Sequence, residues 1–238
     1  MRRFVLEGSS RKDVLEGRDK AKNILDGKGG DDRLSGGAKG DVINGGGAED
    51  DVVFGGRGAD RISGGAGKDT LDGGQGKDVI SGGKGADRIS GGFGEDVLGG
   101  GRGADQIECG HGDDRVFGGA GADIISGGLG RDVINGGSGA DEFIFIDLDD
   151  PDARMVIRDF DPSEDQLLAV PGEGDEANNR IESFVVRDVN GGVFVEVFND
   201  DNENGFDGDG GFLLRGVTRD EVFNNRESIF GDQADSVF

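Results

Sequence analysis

A nine-residue repeat dominates this chain and runs without a break, in eleven consecutive units, from Gly46 to Ile144. Each unit approximates the pattern Gly-Gly-x-Gly-x-Asp-x-apolar-x. Four weaker units precede these eleven, with single extra glycines at Gly17 and Gly45, and they span residues 8–16, 18–26, 27–35 and 36–44. A short period repeated this often predicts a solenoid, in which each unit buries its apolar side only by stacking on its neighbours.

Two positions of the unit carry most of the information. Position eight is a large apolar residue in all fifteen units, from Leu15 to Phe143, whereas position six is acidic in every unit except the one that carries Asn23. The position-six aspartates are Asp13, Asp32, Asp41, Asp51, Asp60, Asp69, Asp78, Asp87, Asp96, Asp105, Asp114, Asp123, Asp132 and Asp141. Positions one, two and four are mostly glycine.

The repeat predicts an all-β fold. Its last three residues, variable–apolar–variable, form a minimal strand with one inward side chain. The glycines at fixed offsets mark a turn with positive φ or close backbone approach. If two units make one coil, coils stack about 4.8 Å apart, the spacing of strands in a sheet. We therefore expect two parallel sheets across a thin core, with each position-eight residue stacked on the one two units later.

Composition and charge restrict what such a chain can do. It has 26 Lys+Arg against 50 Asp+Glu, a net charge of −24, and 33% hydrophobic residues, a combination typical of disorder. This acidity argues against binding nucleic acid or an anionic membrane, which require basic surfaces. A single cysteine, Cys109, rules out an intrachain disulfide. The apolar run after Met1 is too short for a cleaved signal peptide, and no segment has the length of a membrane-spanning helix.

When coils stack, the position-six aspartates of adjacent coils also lie one above another. Two carboxylates roughly 5 Å apart repel by about 3 kcal/mol at an effective dielectric of about 20. A hard divalent cation between coils removes this problem, and calcium accepts six to eight oxygen ligands in flexible geometry, whereas magnesium demands stricter geometry. Zinc and copper prefer His or Cys, and the chain has one of each. Roughly ten calcium ions would neutralise most of the net charge of −24.

The alternative for the aspartate column is turn chemistry, because Asp and Asn side chains both stabilise turns. Asp, Asn and Ser would then mix at position six, but fourteen of the fifteen units carry Asp. We therefore predict metal ligation by all of these aspartates except the first. The predicted ligands are Asp32, Asp41, Asp51, Asp60, Asp69, Asp78, Asp87, Asp96, Asp105, Asp114, Asp123, Asp132 and Asp141.

The nonapeptide resembles the repeat of the RTX (repeats-in-toxin) family, also called the hemolysin-type calcium-binding repeat. The resemblance implies a right-handed parallel β-roll, with calcium held by position-six carboxylates and loop carbonyls. It also implies export by a type I machine without a cleaved N-terminal signal, so that folding waits for extracellular calcium. Departures from the pattern include Lys28 at position two and Lys39 and Glu49 at position four. We expect the four N-terminal units to bind weakly or to act as a cap, and Cys109 and His111 to be tolerated substitutions.

After residue 144 the glycine period stops. We divide the chain into a lead-in (1–7), a β-roll (8–144) and a C-terminal β-rich cap (145–238). Within the cap we predict strands at 155–160, 166–170, 184–189, 193–198 and 211–214, a hairpin at Asn190-Gly191, and a helix start at the capping box Thr218–Glu221. Residues 200–205 match half of an EF-hand loop without its position-twelve glutamate, which favours an acidic hairpin loop. Residues 159–167 and 235–238 resemble segments of secreted RTX proteins.

No catalytic motif is evident. His-Glu-x-x-His, Gly-x-Ser-x-Gly and a Cys–His pairing are absent, and we predict that the chain is not an enzyme. The first hypothesis is a secreted calcium-binding protein at the cell surface or in the matrix, with a surface or matrix polysaccharide as a further partner. The second is a non-catalytic module of a larger secreted enzyme, alginate-modifying or metalloprotease-like. The third, an adhesive or ice-binding solenoid, is disfavoured because only Thr70 and Thr218 are threonines.

Overall fold

The computed structural model describes residues 3–146, 154–170, 181–189, 192–199, 211–215, 217–218 and 220–221. These residues form β-strands that make up two sheets. In chain order the strands are β1 (Arg3–Glu7), β2 (Val14–Glu16), β3 (Lys22–Lys28), β4 (Arg33–Gly37), β5 (Val42–Gly46), β6 (Val52–Arg57), β7 (Arg61–Ala66), β8 (Thr70–Gln75), β9 (Val79–Lys84), β10 (Arg88–Phe93), β11 (Val97–Arg102), β12 (Gln106–His111), β13 (Arg115–Ala120), β14 (Ile124–Ser126), β15 (Arg131–Ser138), β16 (Glu142–Ile146), β17 (Arg154–Ile157), β18 (Gln166–Val170), β19 (Ile181–Val189), β20 (Gly192–Asn199) and β21 (Gly211–Arg215).

Successive strands of the repeat region alternate between the two sheets. The first sheet contains the odd-numbered strands from β1 to β17 in order, followed by β21, β20 and β19. The second contains the even-numbered strands from β2 to β18. Pairing is parallel throughout the repeats, so that Ile89 lies beside Leu71 and Ile107, each 18 residues away. Two nonapeptides therefore make one coil, and the predicted parallel β-roll is confirmed.

The core is a single row of position-eight side chains in each sheet. The exposed fraction of these side chains is at most 3% from Leu25 through Phe143, and Leu15 at the N-terminal end packs against them while only partly buried. One apolar residue in nine is enough because the two sheets face each other directly and each side chain contacts its equivalents in the coils above and below. The predicted stacking of position eight is confirmed.

The strands are longer than the three residues expected from the repeat. A typical strand such as β7 continues from position seven through positions eight and nine into positions one to three of the next unit. Two of its residues face inward, Ile62 at position eight and Gly64 at position one. The second inward position escapes a search for apolar side chains because glycine has no side chain to bury.

The extra glycine Gly45 also has a different place from the expected one. It is the second inward-facing residue of β5, at the place that a position-one glycine has in other units. Gly46 follows with a positive φ of 127°, like the position-two glycines of other units. The additional residue of this unit is therefore in the turn before Asp51 rather than between two units. Of the departures at position two, Lys28 takes the positive φ of 74° that glycine takes in regular units.

The segments outside the repeats extend the same two sheets. Strand β1, in the predicted lead-in, pairs with β3, and β17 and β18 continue one sheet each. The five predicted C-terminal strands are present as β17 to β21, and β19 pairs antiparallel with β20 from Val189–Gly192 outward. Thr218 and Glu221 exchange the hydrogen bonds of a capping box. The predicted acidic hairpin loop at 200–205 and the tail at 235–238 lie outside the described residues.

Within the described part of the chain, no helix has both the length and the apolar character needed to cross a membrane.

Glycine is required where one coil approaches the next. At Gly76, the fourth residue of its unit, φ is 150°, and an added Cβ would overlap the carbonyl oxygen of Gly58 in the preceding coil. Gly99 is a contrasting case at position nine. Its φ is not positive, and the atom nearest to an added Cβ would be the Ile80 carbonyl oxygen, 3.8 Å away.

This contrast predicts opposite results for two Gly→Ala substitutions. Gly76→Ala should lower the free energy of unfolding by more than the about 1–3 kcal/mol that a strained φ alone costs, because the overlap adds to it. Gly99→Ala should be neutral or stabilising by up to about 1 kcal/mol, since Ala loses less entropy in a strand. Denaturant unfolding in excess calcium measures both, and equal destabilisation would contradict the coil spacing described here.

Candidate metal centre

The position-six aspartates form two ladders, one on each side of the roll. In each ladder the backbone N–H of one aspartate donates to Oδ1 of the equivalent residue one coil later. The first ladder comprises Asp13, Asp32, Asp51, Asp69, Asp87, Asp105, Asp123, Asp141 and Asp165. The second comprises Asn23, Asp41, Asp60, Asp78, Asp96, Asp114 and Asp132. Donor–acceptor distances run from 2.6 Å, as at Asp41–Asp60, to 3.0 Å, as at Asp114–Asp132.

The backbone carbonyl groups of the ladder residues also form hydrogen bonds between coils. The carbonyl oxygen of Asp60, for example, accepts the N–H of Val79 at 2.9 Å, in the coil that follows. Asp60 also donates its own N–H to Asp78 Oδ1 at 2.7 Å. The strand after each aspartate is therefore tied to the preceding coil at the point where the turn ends, which fixes the position of the carboxylate.

The second carboxylate oxygen, Oδ2, has no hydrogen-bond partner at ten of the ladder aspartates. Within the described residues this holds for Asp32, Asp41, Asp60, Asp69, Asp78, Asp87, Asp96, Asp105, Asp114 and Asp123. Each of these residues is only 1–2% exposed. A buried polar atom without a partner costs several kcal/mol, and native proteins contain few of them. A regular row of such oxygens therefore indicates a missing positive group.

At each position-one glycine from Gly27 to Gly118, an Oδ2 lies beside a backbone carbonyl oxygen that shares the same space. A Cβ added to Gly55 would lie 2.7 Å from Asp60 Oδ2 and 2.6 Å from the carbonyl oxygen of Gly73. The same pair recurs one coil later around Gly73, with Asp78 Oδ2 and the Gly91 carbonyl oxygen both at 2.7 Å. We call this arrangement, an Oδ2 and a carbonyl oxygen meeting at a position-one glycine, the oxygen cradle.

The oxygen cradle suits a hard cation with many weak ligands. Among the described residues no three His, Cys, Asp or Glu side chains converge to hold a metal. A cation here would therefore need backbone carbonyls beside the carboxylates, and calcium uses such mixed oxygen sets readily. Zinc prefers sulfur and nitrogen ligands and does not match a cradle made of oxygens. The donor chemistry thus fits the predicted calcium, which would supply the positive charge that the Oδ2 atoms lack.

Burial raises the pKa of the ladder carboxyls. It raises the pKa of Asp132 to about 8, that of Asp60 and Asp114 to about 7, and that of Asp69 and Asp87 to about 6. In each case the loss of hydration is the largest cause. The hydrogen bond from the preceding coil lowers the pKa and the charge of neighbouring ladder aspartates raises it, both by less than burial does.

This order of causes corrects the sequence-based argument, which attributed the need for a cation to repulsion between stacked carboxylates. Repulsion contributes at Asp60, where Asp78 and Asp41 both raise the pKa, but burial comes first. The shared N–H between successive aspartates partly offsets the repulsion. The cation is needed chiefly because the fold removes each carboxylate from water.

All thirteen predicted ligands lie in the ladders, and Asp165 joins them as a residue that the sequence analysis did not assign. It is 3% exposed and accepts the N–H of Asp141 at 3.0 Å. Because it follows Asp141 by 24 residues, a search with a period of 18 misses it. The signal that identifies it is local, since Asp165-Gln166-Leu167 repeats the Asp–x–apolar order of Asp141-Glu142-Phe143.

His111 lies outside the rows of cradle oxygens, whereas the carbonyl oxygen of Cys109 lies beside Asp96 Oδ2 in the cradle at Gly91. Cys109 takes the inward position-one place of its unit, is fully buried, and has the pKa of its thiol raised by burial first and by Asp132 second. The ring of His111 stacks on Phe93, with ring centroids 4.5 Å apart and an interplanar angle of 4°. Phe93 is 56% exposed, so this stack belongs to the outer surface.

Comparison with protein families identifies the repeats. The model of the RTX calcium-binding nonapeptide repeat matches four times, at residues 26–51, 45–80, 72–107 and 110–143. Comparison with curated proteins finds no match.

Two solved structures resemble parts of the chain. The AlgE6R3 subunit of the mannuronan C5-epimerase from Azotobacter vinelandii is 27% identical, with 63% of this chain and 77% of that chain covered and a TM-score of 0.32. The extracellular lipase LipA from Serratia marcescens is 17% identical, with 92% and 45% covered and a TM-score of 0.31. At these TM-scores neither similarity bears on the function of this chain.

The raised pKa values predict that acid stabilises the metal-free roll. The folded state holds protons more tightly than the unfolded chain, so stability is fully present below about pH 4 and is lost as pH rises through about 6 to 8. Circular dichroism in excess chelator should show more β-structure at pH 5 than at pH 8. With calcium the trend should reverse, because cations bind deprotonated carboxylates. Loss of structure on acidifying the chelated protein would contradict the burial described here.

Proposed function

Because residues 26–107 and 110–143 are RTX calcium-binding nonapeptide repeats, we propose that this chain is a secreted protein whose β-roll folds by binding a row of calcium ions. The roll would then act at the cell surface or in the extracellular matrix. The observation that carries the proposal is the set of ten buried Oδ2 atoms without a partner in the described residues. Each of them needs a positive group that the surrounding chain does not supply.

The proposed ligands are the thirteen predicted aspartates, from Asp32 to Asp141, with the carbonyl oxygens of the oxygen cradles. The ions would lie along both ladders and number roughly ten, as many as there are unpartnered Oδ2 atoms. Each ion would join two coils, because a cradle combines a carboxylate from one coil with a carbonyl from the next. Residues 8–144 would form the calcium-dependent domain, with the lead-in and the C-terminal segment extending its sheets.

Export and the lack of catalysis are parts of the same proposal. RTX repeats are characteristic of exported proteins, and a roll that needs calcium would stay unfolded in the calcium-poor cytosol and pass through a type I exporter. The carboxylates that stand out in the described residues are committed to the ladders, which leaves no evident acid–base pair. We therefore propose a calcium-binding role without enzymatic activity, with surface or matrix polysaccharide as a further partner.

Calcium should convert the chain from disordered to β-rich. In chelator at neutral pH the circular dichroism spectrum should be that of an unfolded chain, because the buried carboxylates are ionised without counter-charge. Calcium at millimolar concentration should produce a β-sheet spectrum, and the same concentration of magnesium should not. A folded spectrum in chelator at neutral pH would refute the proposed coupling of folding to calcium.

Removing one ladder carboxylate should weaken the roll only when calcium is present. Asp96→Ala should reduce the free energy of unfolding by about 2.7 kcal/mol for each site lost at a calcium concentration of a hundred times its Kd. Glu108→Ala is the matched control, since this carboxylate is exposed on β12 and outside the ladders. Thermal unfolding in calcium at neutral pH, and in chelator at pH 5 where protonated carboxyls stabilise the metal-free roll, compares the two. An equal loss for Asp96→Ala in chelator would assign the aspartate to turn chemistry instead.

A further inference from the structure

Three ends of the ladders differ from the interior because their polar atoms are satisfied by hydrogen bonds. Asn23 begins the second ladder, and Asp13 begins the first. Asp165 ends the first ladder in the described residues. At each of these residues, donors of the chain itself lie where the interior cradles contain an oxygen without a partner.

Asn23 reproduces an oxygen cradle with nitrogen in place of oxygen. A Cβ added to Gly17 would lie 2.8 Å from Asn23 Nδ2 and in contact with the Gly36 carbonyl oxygen, as a Cβ on Gly36 would meet Asp41 Oδ2 and the Gly55 carbonyl oxygen. Asn23 Nδ2 donates to that Gly36 oxygen at 2.9 Å and to Asp41 Oδ1 at 3.0 Å. It thus binds the cradle carbonyl oxygen of Gly36 directly, and it also binds Asp41 Oδ1, the ladder acceptor of the next coil.

The orientation of the Asn23 amide follows from its surroundings. Nδ2 also has the carbonyl oxygens of Arg18 and Ala21 within 3.2 and 3.3 Å, while Oδ1 accepts the N–H of Arg18 at 2.9 Å. The opposite orientation would bring the amide oxygen against carbonyl oxygens and the amide nitrogen against an N–H. Asn23 is 1% exposed, so water does not take over these contacts. The amide group therefore takes the place of a cation by donating hydrogen bonds to its oxygen neighbours.

The first ladder is closed at both ends in a related way. Asp13 Oδ2 accepts the N–H and the hydroxyl group of Ser9, at 2.6 and 2.8 Å. Asp165 Oδ2 accepts the N–H of Asp161 at 2.8 Å. Neither oxygen resembles the ten interior Oδ2 atoms that lack a donor within the described residues.

We propose that these three ladder ends are closed by hydrogen bonds in place of cations, and that Asn23 excludes a calcium ion from a cradle that is otherwise complete. The inference rests on the proposed calcium function and specifies at which ladder residues calcium binding ends. Cation binding in the second ladder begins at Asp41, and in the first it lies between Asp13 and Asp165. The four degenerate units are thus divided, since the aspartates of the last two have the open Oδ2 of regular units.

Counting bound calcium tests the role of Asn23. Native mass spectrometry of the folded full chain in calcium gives the number of ions for the wild type. Asn23→Asp should bind one calcium ion more, because it replaces the amide donors with a carboxylate oxygen in a complete cradle. Gln75→Glu is the control, since it adds the same charge at an exposed position outside the ladders and should leave the count unchanged.

The reverse substitution keeps the test decisive if Asn23→Asp does not fold. Asp60→Asn should bind one calcium ion fewer and should tolerate chelator better than Asp60→Ala, because its Nδ2 can donate to the Gly73 carbonyl oxygen as Asn23 donates to Gly36. An unchanged count in a folded Asn23→Asp protein, or in Asp60→Asn, would overturn the inference. A wild type without bound calcium would instead overturn the proposed function, so the two failures are distinguishable.

Discussion

The burial of carboxylate oxygens is the constraint on which this structure depends. Every interior ladder aspartate uses Oδ1 to accept an N–H from the coil before it, and this bond determines where Oδ2 lies. From Asp32 to Asp105 and at Asp123, Oδ2 then meets a carbonyl oxygen beside a glycine, in a place that water does not reach. Because neither oxygen can donate a proton, the arrangement is stable only with a proton or a cation added. We therefore expect folding and cation binding to form a single equilibrium.

Glycine and aspartate are required in the same unit for this reason. The position-one glycine leaves room for Oδ2 and the carbonyl oxygen of the next coil, and any side chain at Gly55 would fill the space between them. The position-two and position-four glycines bring adjacent coils close enough for one carboxylate to contact the backbone of another coil. With one apolar residue in nine in its core, a solenoid built in this way depends for its stability on contacts between neighbouring units.

The nine-residue period was sufficient to predict the two-sheet roll, the stacking of residues such as Ile89 on Leu71 and Ile107, and the column of aspartates. These features follow from periodicity alone, which sequence displays directly. The strand length was underestimated because inward glycines such as Gly64 have no side chain to signal burial. Asp165 was missed because a turn of different length precedes it, and the role of Asn23 depends on donor directions that a pattern of letters does not contain. The dominance of desolvation over repulsion likewise required knowledge of burial.

The ladder hydrogen bonds all have the same direction along the chain. The earlier aspartate donates its N–H, and the acceptor belongs to the coil that comes later in the sequence, as at Asp60 and Asp78. A roll that gains coils at its C-terminal end therefore always has a last coil whose aspartate N–H lacks its ladder acceptor. Each added coil supplies the acceptor for the aspartate N–H of the preceding coil, and its own aspartate N–H is then without a ladder acceptor. Only a final coil of different construction, such as the one containing Asp161 and Asp165, can end this succession.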